Sequence, residues 1–518
     1  MQLIDLFDRG LSRGPDAACF IEPGGRTLTY AQVDVLSHRV ANGLHAAGVT
    51  KGSNVGLLSA NHLMTFVSVL GTVRSNGVWM PVNARNSIEE SLNVLSRGDC
   101  CFLFLHSDFA PHLKRFREVM PELKGIVCID RAVEDLMSLE DWAAIQDATP
   151  VRPESQPDDV VAVRGTGGTT GLPKGVLNTH KMYGALFSNW FASMPATRTP
   201  VHLVVAPLTH AAGTICFATL AYGGANVILP SAEPVQILDA IQRYGITQLF
   251  LPPTLIYRLL AYPQVRKYDT SSLQYFVYSA APMSVDRLYK AIDIFGQVMV
   301  QCFGQAEAPF ICTCMTSRDH ADILENPTLS HRLASCGRAS PFVRVEIMNP
   351  EGKILGPNER GEIVARGDLV MRGYYKNAQA TAEALKFGWL HTGDVGYRDD
   401  DGYFYIVDRL KDLIISGGFN ISPSEIEQVL WSLPSVSDCA VIGVPDEQWG
   451  EAVKAIIELK PGAQWDEEAA MSFCRERLGG MKAPKSIEVW DSLPRSSVGK
   501  VLKREIRERY WVGQQRRV

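Results

Sequence analysis

Residues 164–175 read RGTGGTTGLPKG, a stretch that packs five glycines, three threonines and one lysine together. Glycine lets the backbone adopt positive φ and turn its N–H groups inward, the hydroxyls add donors, and Lys174 adds a positive charge. The run follows the apolar, β-branched residues 160–163, whereas flexible linkers are usually Gly/Ser-rich without such a frame. We therefore predict a strand that leads into a phosphate-binding loop.

This run differs from the common phosphate loop GxxxxGK[ST]. In that motif, lysine and a hydroxyl residue follow the last glycine directly and open a helix. Here Pro173 precedes Lys174 and Gly175 follows it, and the common motif occurs nowhere in the chain. The run thus indicates phosphate binding without naming a reaction.

Length and composition exclude several classes of protein. At 518 residues the chain exceeds the roughly 250–300 residues at which a single core stops growing, so we expect at least two domains. A formal net charge of −5 argues against binding nucleic acid by bulk electrostatics. The N-terminus lacks a secretory pattern, and the uncharged stretch at 202–230 is broken by glycines and prolines. We expect a cytoplasmic protein with no nucleic-acid partner and no integral membrane segment.

The eleven cysteines are scattered without regular spacing. Neither Cys100-Cys101 nor Cys312-Thr313-Cys314 has partners at the spacing of a zinc site. We therefore expect reduced thiols that act as small buried hydrophobic side chains.

Strand-like and helix-like patterns alternate through the first 350 residues. The helical patterns include 30–47 and 235–244, and the strand candidates are 54–59, 101–106, 125–129, 202–206, 226–229, 248–251 and 274–278. After about residue 340, short strands and glycine turns replace this alternation. We predict an α/β fold: layered α/β subdomains plus a β-rich subdomain at 1–408, a hinge at 409–412, and a small mobile α+β domain at 413–518.

Five further motifs follow the glycine-rich run in a fixed order. They are SAAP at 279–282, QCFGQAE at 301–307, HTGD at 391–394, DRLKD at 408–412 with SGG at 416–418, and PRSSVGK at 494–500. Together they resemble the adenylate-forming superfamily, which includes acyl-CoA synthetases, nonribosomal adenylation domains and beetle luciferases. The resemblance covers nearly the whole chain, and all the motifs are in register.

The resemblance implies a nucleotide site. Activating a carboxylate places charge on phosphate oxygens, which fixed cations and donors must meet. The catalytic residues implied are Lys500, Lys174, Thr169 and Glu307, the last two orienting Mg²⁺. Phe303 is expected to stack on adenine, and Asp394 to bind the ribose with help from Arg409. The implied nucleotide-binding set is Thr166, Gly168, Thr170, Gly171, Ala280, Ala281, Pro282, Gln301, Phe303, Gly304, Asp394, Ile406 and Arg409.

The resemblance also implies two reaction poses. Lys411 occupies the hinge position, about which the small domain exchanges Lys500 for the 416–418 segment at the site. Gly418 would let the pantetheine arm of CoA pass close to the backbone. Trp449 and Lys485 occupy places where some relatives contact CoA, although Trp449 is equally consistent with a core position.

The acyl pocket is expected near the PLTH segment at 207–210 and after Glu307. The substrate residues implied are His210, Ala211, Ala308 and Pro309. Thr209 stands where the family has an aromatic residue and Ala211 is small, which indicates a roomy, mainly apolar pocket. His210 is also consistent with a satisfied core histidine.

Two positions depart from the family pattern. Gly167 replaces a serine in the phosphate loop, and Ala306 replaces a threonine that binds the nucleotide phosphate. Each loses a donor worth roughly 1.5–3 kcal/mol when it is directed at a charge, which would lower affinity or rate.

We therefore expect an ATP-, Mg²⁺- and CoA-dependent acid:CoA ligase that forms acyl-AMP from a fatty or aromatic acid. A carrier-protein acceptor is the first alternative and a non-catalytic nucleotide sensor the second. The sequence does not identify the acid. A homodimer is one possible assembly, because dimers are the commonest soluble assembly.

Overall fold

The computed structural model describes residues 1–165, 174–417, 419–495 and 501–511. The α-helices are α1 Asp5–Arg13, α2 Tyr30–Ala46, α3 Leu63–Arg74, α4 Ile88–Arg97, α5 Leu113–Val119, α6 Leu139–Ala144, α7 His180–Ser193, α8 Ala211–Leu220, α9 Pro234–Tyr244, α10 Pro253–Ala261, α11 Val285–Phe295, α12 Ser317–Glu325, α13 Ala378–Ala384, α14 Pro423–Trp431, α15 Glu467–Lys482 and α16 Lys503–Glu508. Short 3-10 helices lie at Ser107–His112, Val265–Lys267, Pro327–Ala334 and Lys386–Gly388.

The strands are β1 Ala18–Ile21, β2 Thr27–Thr29, β3 Asn54–Ser59, β4 Val78–Asn83, β5 Cys100–Leu105, β6 Ile126–Cys128, β7 Val160–Gly165, β8 Gly175–Thr179, β9 Val201–Val204, β10 Ala225–Ile228, β11 Gln248–Leu251, β12 Tyr275–Tyr278, β13 Met299–Gln305, β14 Ala308–Met315, β15 Arg338–Ala339, β16 Arg344–Met348, β17 Gly361–Arg366, β18 Gly373–Tyr374, β19 Leu390–Arg398, β20 Phe404–Arg409, β21 Ile414–Ser416, β22 Phe419–Ile421, β23 Val436–Asp446, β24 Gly450–Leu459 and β25 Ser486–Val489.

The described chain forms two compact units. The first comprises 1–282, 286–345 and 365–390, and the second comprises 283–285, 346–364 and 391–518. The predicted hinge at 409–412 and the boundaries on either side of it concern motion between reaction steps, so they remain predictions.

The first unit contains two mainly parallel sheets. One has the strand order β18-β8-β7-β4-β3-β5-β6, and the other has the order β15-β14-β13-β12-β11-β9-β10-β1-β2. Every residue of β3 and β4 is buried, as expected for parallel strands that helices cover on both faces. Helix α2 begins at a capping box in which Thr29 and Gln32 satisfy each other's backbone N–H groups. The alternating pattern of the sequence thus gives the expected α/β layers.

The second unit is built on antiparallel pairs. Strands β23 and β24 form a long hairpin, and β25 adds to β24 in parallel. Helices α14 and α15 pack there through Ile426, Leu430 and Cys474, which are buried. The apolar segments 440–444 and 453–459 form the centre of this hairpin. The predicted α+β character of the C-terminal region is confirmed.

All eleven cysteines are free, and Cys101 is the one that is partly exposed. The expectation that they serve as small buried side chains is therefore confirmed for the other ten. Within the described parts of the chain, no helix combines the length and apolarity needed to cross a bilayer.

Candidate functional site

The two ends of the glycine-rich run lie on paired strands. Strand β7 ends at Gly165 and β8 begins at Gly175, and these two glycines are antiparallel partners. A hairpin thus fixes the start and the end of the run. The predicted site residues Thr166, Gly168, Thr169, Thr170 and Gly171 lie outside the described residues, as does Gly167.

Lys174 and Glu307 are linked by a residue that the sequence analysis did not single out. The ammonium of Lys174 lies 4.8 Å from the centroid of the Tyr374 ring. The Tyr374 hydroxyl donates a 2.7 Å hydrogen bond to Oε1 of Glu307. Burial raises the pKa of Tyr374, and the carboxylate of Glu307 raises it further, so the phenol remains a neutral donor. One aromatic side chain therefore contacts both predicted catalytic groups.

Sheet pairing explains why Tyr374 lies there. Strand β18 pairs antiparallel with β8, and Tyr374 lies opposite Val176. The backbone N–H of Tyr375 also donates to the carbonyl of Gly175, and that of Met371 donates to the carbonyl of Glu307. A two-residue strand carries almost no periodic signal, so the sequence indicates this strand only by the aromatic pair that follows Gly373.

The candidate adenine residues lie at the ends of neighbouring strands. Strand β13 carries Gln301, Phe303 and Gly304, and the parallel strand β12 leads directly into 280–282, which hold Ala280, Ala281 and Pro282. Ala280 adopts a φ of 75°, which marks a tight turn at the strand end. A Cβ on Gly304 would lie 2.6 Å from the backbone nitrogen of Phe310, so the turn into β14 requires glycine.

A buried tyrosine and histidine contact Gln301. The Tyr278 hydroxyl lies 3.2 Å from Oε1 of Gln301 and 3.1 Å from Nε2 of His320. The Nδ1 atom of His320 lies 2.8 Å from the carbonyl oxygen of Thr316. Burial lowers the pKa of His320 to about 4, so the ring is neutral and carries one proton.

The position of that proton decides the direction of the hydrogen bonds. Since the Thr316 carbonyl only accepts, Nδ1 of His320 is the protonated nitrogen and Nε2 accepts from the Tyr278 hydroxyl. The single hydroxyl proton is then used, so we expect Gln301 to turn its NH₂ group toward this hydroxyl, because the two amide ends are assigned from their hydrogen bonds. The amide oxygen of Gln301 is left to accept from another group.

The candidate acyl residues also belong to the first unit. His210 directly precedes α8, whose first residue is Ala211. Burial and, to a smaller extent, the nearby positive charge of Arg164 lower the pKa of His210 to about 4, so the imidazole is neutral. Ala308 and Pro309 are buried on β14. The next residue, Phe310, packs against Trp190 and Phe250 at ring-centroid distances of 5.5 and 5.3 Å.

The candidate ribose residues face each other in the second unit. Asp394 on β19 is the cross-strand partner of Arg409 at the end of β20, and Nε of Arg409 lies 3.0 Å from Oδ1 of Asp394. Asp394 is only 4% exposed, because side chains on β19 alternate between buried and partly buried positions. Ile406 lies on β20 and is partly buried.

The segment around Lys411 is held by charged partners. Burial lowers the pKa of Lys411, and the positive charge of Arg409 lowers it further. Asp412 next to it forms a 2.5 Å ion pair with Arg507 of α16. The Asp408 carboxylate accepts a hydrogen bond of 2.9 Å from the backbone N–H of Ser424. The candidate hinge is therefore anchored on both sides of Lys411.

Trp449 is a surface residue. Its side chain is 48% exposed, and its ring lies so close to Gly417 that a Cβ there would come within 2.7 Å of it. Gly417 has a φ of 56°, which favours glycine. Lys485 is exposed and donates 2.8 Å to the carbonyl of Gly480. Gly418 and Lys500 lie outside the described residues.

The comparisons with known proteins decide the family. The family model described as AMP-binding enzyme matches residues 7–375, and the model of the AMP-binding enzyme C-terminal domain matches 425–500. This chain belongs to the AMP-binding enzymes. The predicted membership of the adenylate-forming superfamily is confirmed.

Three curated relatives cover nearly the whole chain. A feruloyl-CoA synthase of Amycolatopsis sp is 36% identical over 95% of this chain and 96% of its own. A medium/long-chain fatty-acid–CoA ligase of Mycobacterium tuberculosis is 34% identical over 96% and 88%, respectively. A fatty acid–[acyl-carrier-protein] ligase of Streptomyces coeruleorubidus is 33% identical over 95% and 94%.

The solved structure of ATP-bound MatB from Rhodopseudomonas palustris aligns with a TM-score of 0.89 at 28% identity. The alignment covers 98% of this chain and 99% of that one. The predicted α/β architecture is confirmed, and so is the prediction of an AMP-forming acid–thiol ligase that uses ATP and CoA.

Proposed function

We propose that this ligase activates a fatty or aromatic acid at the glycine-rich run, with Lys174, Glu307 and Lys500 as its main catalytic groups, and then transfers the acyl group to CoA. The observation that carries the proposal is the contact of Tyr374 with both Lys174 and Glu307. A cation and a carboxylate held beside one phosphate-binding loop match the needs of a magnesium–triphosphate substrate.

The residues present fit a magnesium ion. The Tyr374 hydroxyl donates a hydrogen bond to Oε1 of Glu307, while Oε2 makes no hydrogen bond with any residue in the described ranges. A carboxylate oxygen is a hard ligand of the kind Mg²⁺ prefers, and Thr169 would add a hydroxyl oxygen. When bound, Mg²⁺ neutralises charge on the phosphate oxygens. Glu307 would hold the ion, and Lys174 stabilises the departing pyrophosphate.

The other candidate residues hold the rest of the nucleotide. Phe303 stacks on adenine, with 280–282 on the other side of the base and Gln301 at its edge. Asp394 accepts from the ribose hydroxyls, and its 3.0 Å contact with Arg409 holds the carboxylate in place. Ile406 contributes apolar surface to this region. Lys500 donates to the attacking carboxylate and to the α-phosphate.

Thioester formation uses the second pose. Rotation about Lys411 removes Lys500 and brings the 416–418 segment to the site. The half-exposed ring of Trp449 and the ammonium of Lys485 are suited to the adenine and phosphates of CoA.

Pyrophosphate exchange followed by AMP release tests this proposal. We expect exchange between pyrophosphate and ATP with fatty or aromatic acids before CoA is added, and stoichiometric AMP and thioester after it is added. Exchange with no member of a broad acid panel, despite ATP binding, would contradict the proposal and favour a nucleotide sensor.

Transfer to a carrier protein is the second candidate, because one relative bears that name. AMP release with phosphopantetheinylated carrier protein but not with CoA would favour it. The cytoplasmic location and the homodimer remain predictions.

A further inference from the structure

A positively charged side chain without a counter-charge lies close to His210. Arg164 on β7 is partly buried, and its guanidinium donates 2.8 Å to the hydroxyl of Thr214. It also lies 5.7 Å from the centroid of the Trp79 ring. No aspartate or glutamate in the described ranges forms an ion pair with it, and the remaining residues contain neither amino acid. Arginine is rarely buried without an anionic partner, so the lack of a carboxylate beside Arg164 is unusual.

The hydroxyl of Tyr183 is a second buried polar group at the same place. Tyr183 on α7 is 1% exposed, and its hydroxyl makes no well-oriented hydrogen bond with any of the described residues. Burial raises the pKa of Tyr183, whereas the charge of Arg164 and the polar side-chain groups of Arg164 and Thr214 lower it, so the hydroxyl lies next to both residues. A buried hydroxyl without a partner costs about 1–3 kcal/mol, so proteins keep few of them.

This cluster lies beside His210 and Ala211, two of the candidate acyl residues. Thr214 lies in the first turn of α8, and His210 directly precedes that helix. The guanidinium that contacts Thr214 is close enough to lower the pKa of His210. Arg164, Tyr183, Thr214 and His210 thus form one group, here called the Arg164 cluster.

The Arg164 cluster is set apart from the candidate phosphate and magnesium groups. Arg164 pairs with Val176 on β8, and Val176 pairs with Tyr374 on β18, so the three side chains leave one face of the sheet. With a strand spacing of about 4.8 Å, the backbones of Arg164 and Tyr374 lie about 10 Å apart. The guanidinium therefore faces the same side as Glu307 but is displaced from it toward His210.

We propose that Arg164 determines specificity by binding, together with the Tyr183 hydroxyl, an anionic oxygen group that the acid carries away from its reacting carboxylate. A guanidinium presents several donors in one plane, and a carboxylate accepts two of them at once. The Tyr183 hydroxyl adds a third donor. The substrate class is then an acid with a second carboxylate or a comparable oxyanion on an otherwise apolar body. This inference rests on the proposed function and narrows it.

The test compares acids that differ only at the far end. The probes are 3-phenylpropanoic acids with a methyl, hydroxyl or carboxylate group at ring position 4, and saturated acids of one length ending in the same three groups. We measure kcat/KM for AMP formation with each. The wild-type enzyme should prefer the carboxylate over the methyl acid by at least ~10-fold in one series, as sites built for polar groups reject analogues that lack them.

Variants of Arg164 should invert this preference. Arg164→Met is expected to lower kcat/KM for the carboxylate acid by at least ~10-fold and to leave or raise that for the methyl acid. The KM for ATP should stay within about twofold, and Tm without substrate should be unchanged or higher, because an uncompensated charge is removed. Arg164→Lys should retain part of the preference. Tyr183→Phe, which deletes one buried atom, should reduce it without altering the fold.

Three results would overturn the inference. The first is a wild-type enzyme that makes AMP from these acids without preferring those with an anionic end. If the enzyme makes no AMP from any acid, the result contradicts the proposed function instead. An equal loss on all acids in Arg164→Met would assign the guanidinium to the reacting carboxylate. A raised KM for ATP alone would assign it to a phosphate. If Arg164→Met does not fold, the wild-type preference and Tyr183→Phe decide.

Discussion

Tyr374 shows how a single side chain joins parts of a site that are far apart in sequence. Its hydroxyl contacts Glu307 and its ring contacts Lys174, so one residue orients a carboxylate and supports a cation. Such an outer contact restricts the rotamers of the group that touches the substrate. Tyr374 is therefore a positioning residue, and its loss should affect the nucleotide more than the acid.

Tyr374→Phe tests this directly. Losing a hydrogen bond to a charged group costs roughly 1.5–3 kcal/mol, so kcat/KM for magnesium–ATP should fall about 10- to 100-fold while the KM for the acid stays constant. Tyr375→Phe is the matched control, because the neighbouring hydroxyl donates 2.6 Å to Asp99 instead. Equal losses in both variants would show that Tyr374 has no special role. Calorimetric binding of magnesium–ATP gives a readout independent of turnover.

The contacts of His320 predict how the nucleotide base is selected. With its NH₂ group turned toward Tyr278, Gln301 keeps its amide oxygen to accept from the 6-amino group of adenine, whereas guanine presents an acceptor there. Tyr278→Phe should reduce the preference for ATP over GTP by about 10-fold, since roughly 1.4 kcal/mol of orientation is lost. Tyr275→Phe is the control on the same strand. Nitrogen-15 NMR should find the His320 proton on Nδ1, and a proton on Nε2 would contradict the scheme.

At the scale of elements, a buried ion pair ties helix α16 to helix α14. Nζ of Lys503 lies 2.7 Å from Oε1 of Glu427, and both side chains are largely buried. Glu427 also accepts from the backbone N–H of Val441 on β23. Helix α16 follows the 494–500 motif directly, so this pair fixes the helix that comes after the candidate Lys500.

Removing one partner of this ion pair should destabilise the protein. Lys503→Met leaves Glu427 buried and uncompensated, which should lower the free energy of unfolding by about 3–5 kcal/mol. Adding Glu427→Gln should recover much of that loss, because the remaining charge is then removed. Amide hydrogen exchange in β23 and β24 reports on this region. If the double variant is no more stable than the single one, the loss does not come from an unpaired charge.

The hinge prediction belongs to the same scale. Lys411→Pro fixes φ near −65° and stiffens the backbone between the ion pair at Asp412 and the strand β20. We expect thioester formation from supplied acyl-AMP to slow more than adenylation does, as gating motions limit many enzymes. Separate assays of the two half-reactions check this. An unchanged second half-reaction would remove Lys411 from the hinge.

At the scale of the whole molecule, substitution of Lys500 should impair adenylation and leave thioester formation intact. Lys500→Ala removes a donor needed during adenylation, so adenylation should fall by at least ~10²-fold. The same variant should still convert supplied acyl-AMP to thioester. Equal losses in both steps would contradict the two-pose scheme. Lys503→Arg, which keeps a cation three residues further along the chain, is the matched control.

Much of the fold follows from the sequence, because buried strands and amphipathic helices carry strong local patterns. The strands β3 and β11 begin and end where the patterns predict. The pairing of β18 with β8 was not predictable, since it joins two residues to a distant strand. The same holds for the site. Motifs revealed Glu307 and Asp394, whereas Tyr374, His320 and Arg164 act through contacts that only the folded chain creates.

Because the thiols are buried, their alkylation reports when each compact unit of the protein opens. Nine cysteines belong to the first compact unit, and two, Cys439 and Cys474, belong to the second. Burial raises the pKa of Cys439 well above its ordinary value, so an alkylating reagent reaches it only when that unit opens. Cys101, which is partly exposed, gives the reaction rate of a thiol in the folded protein for comparison. Timed alkylation followed by mass spectrometry would therefore record the opening of each unit within one sample.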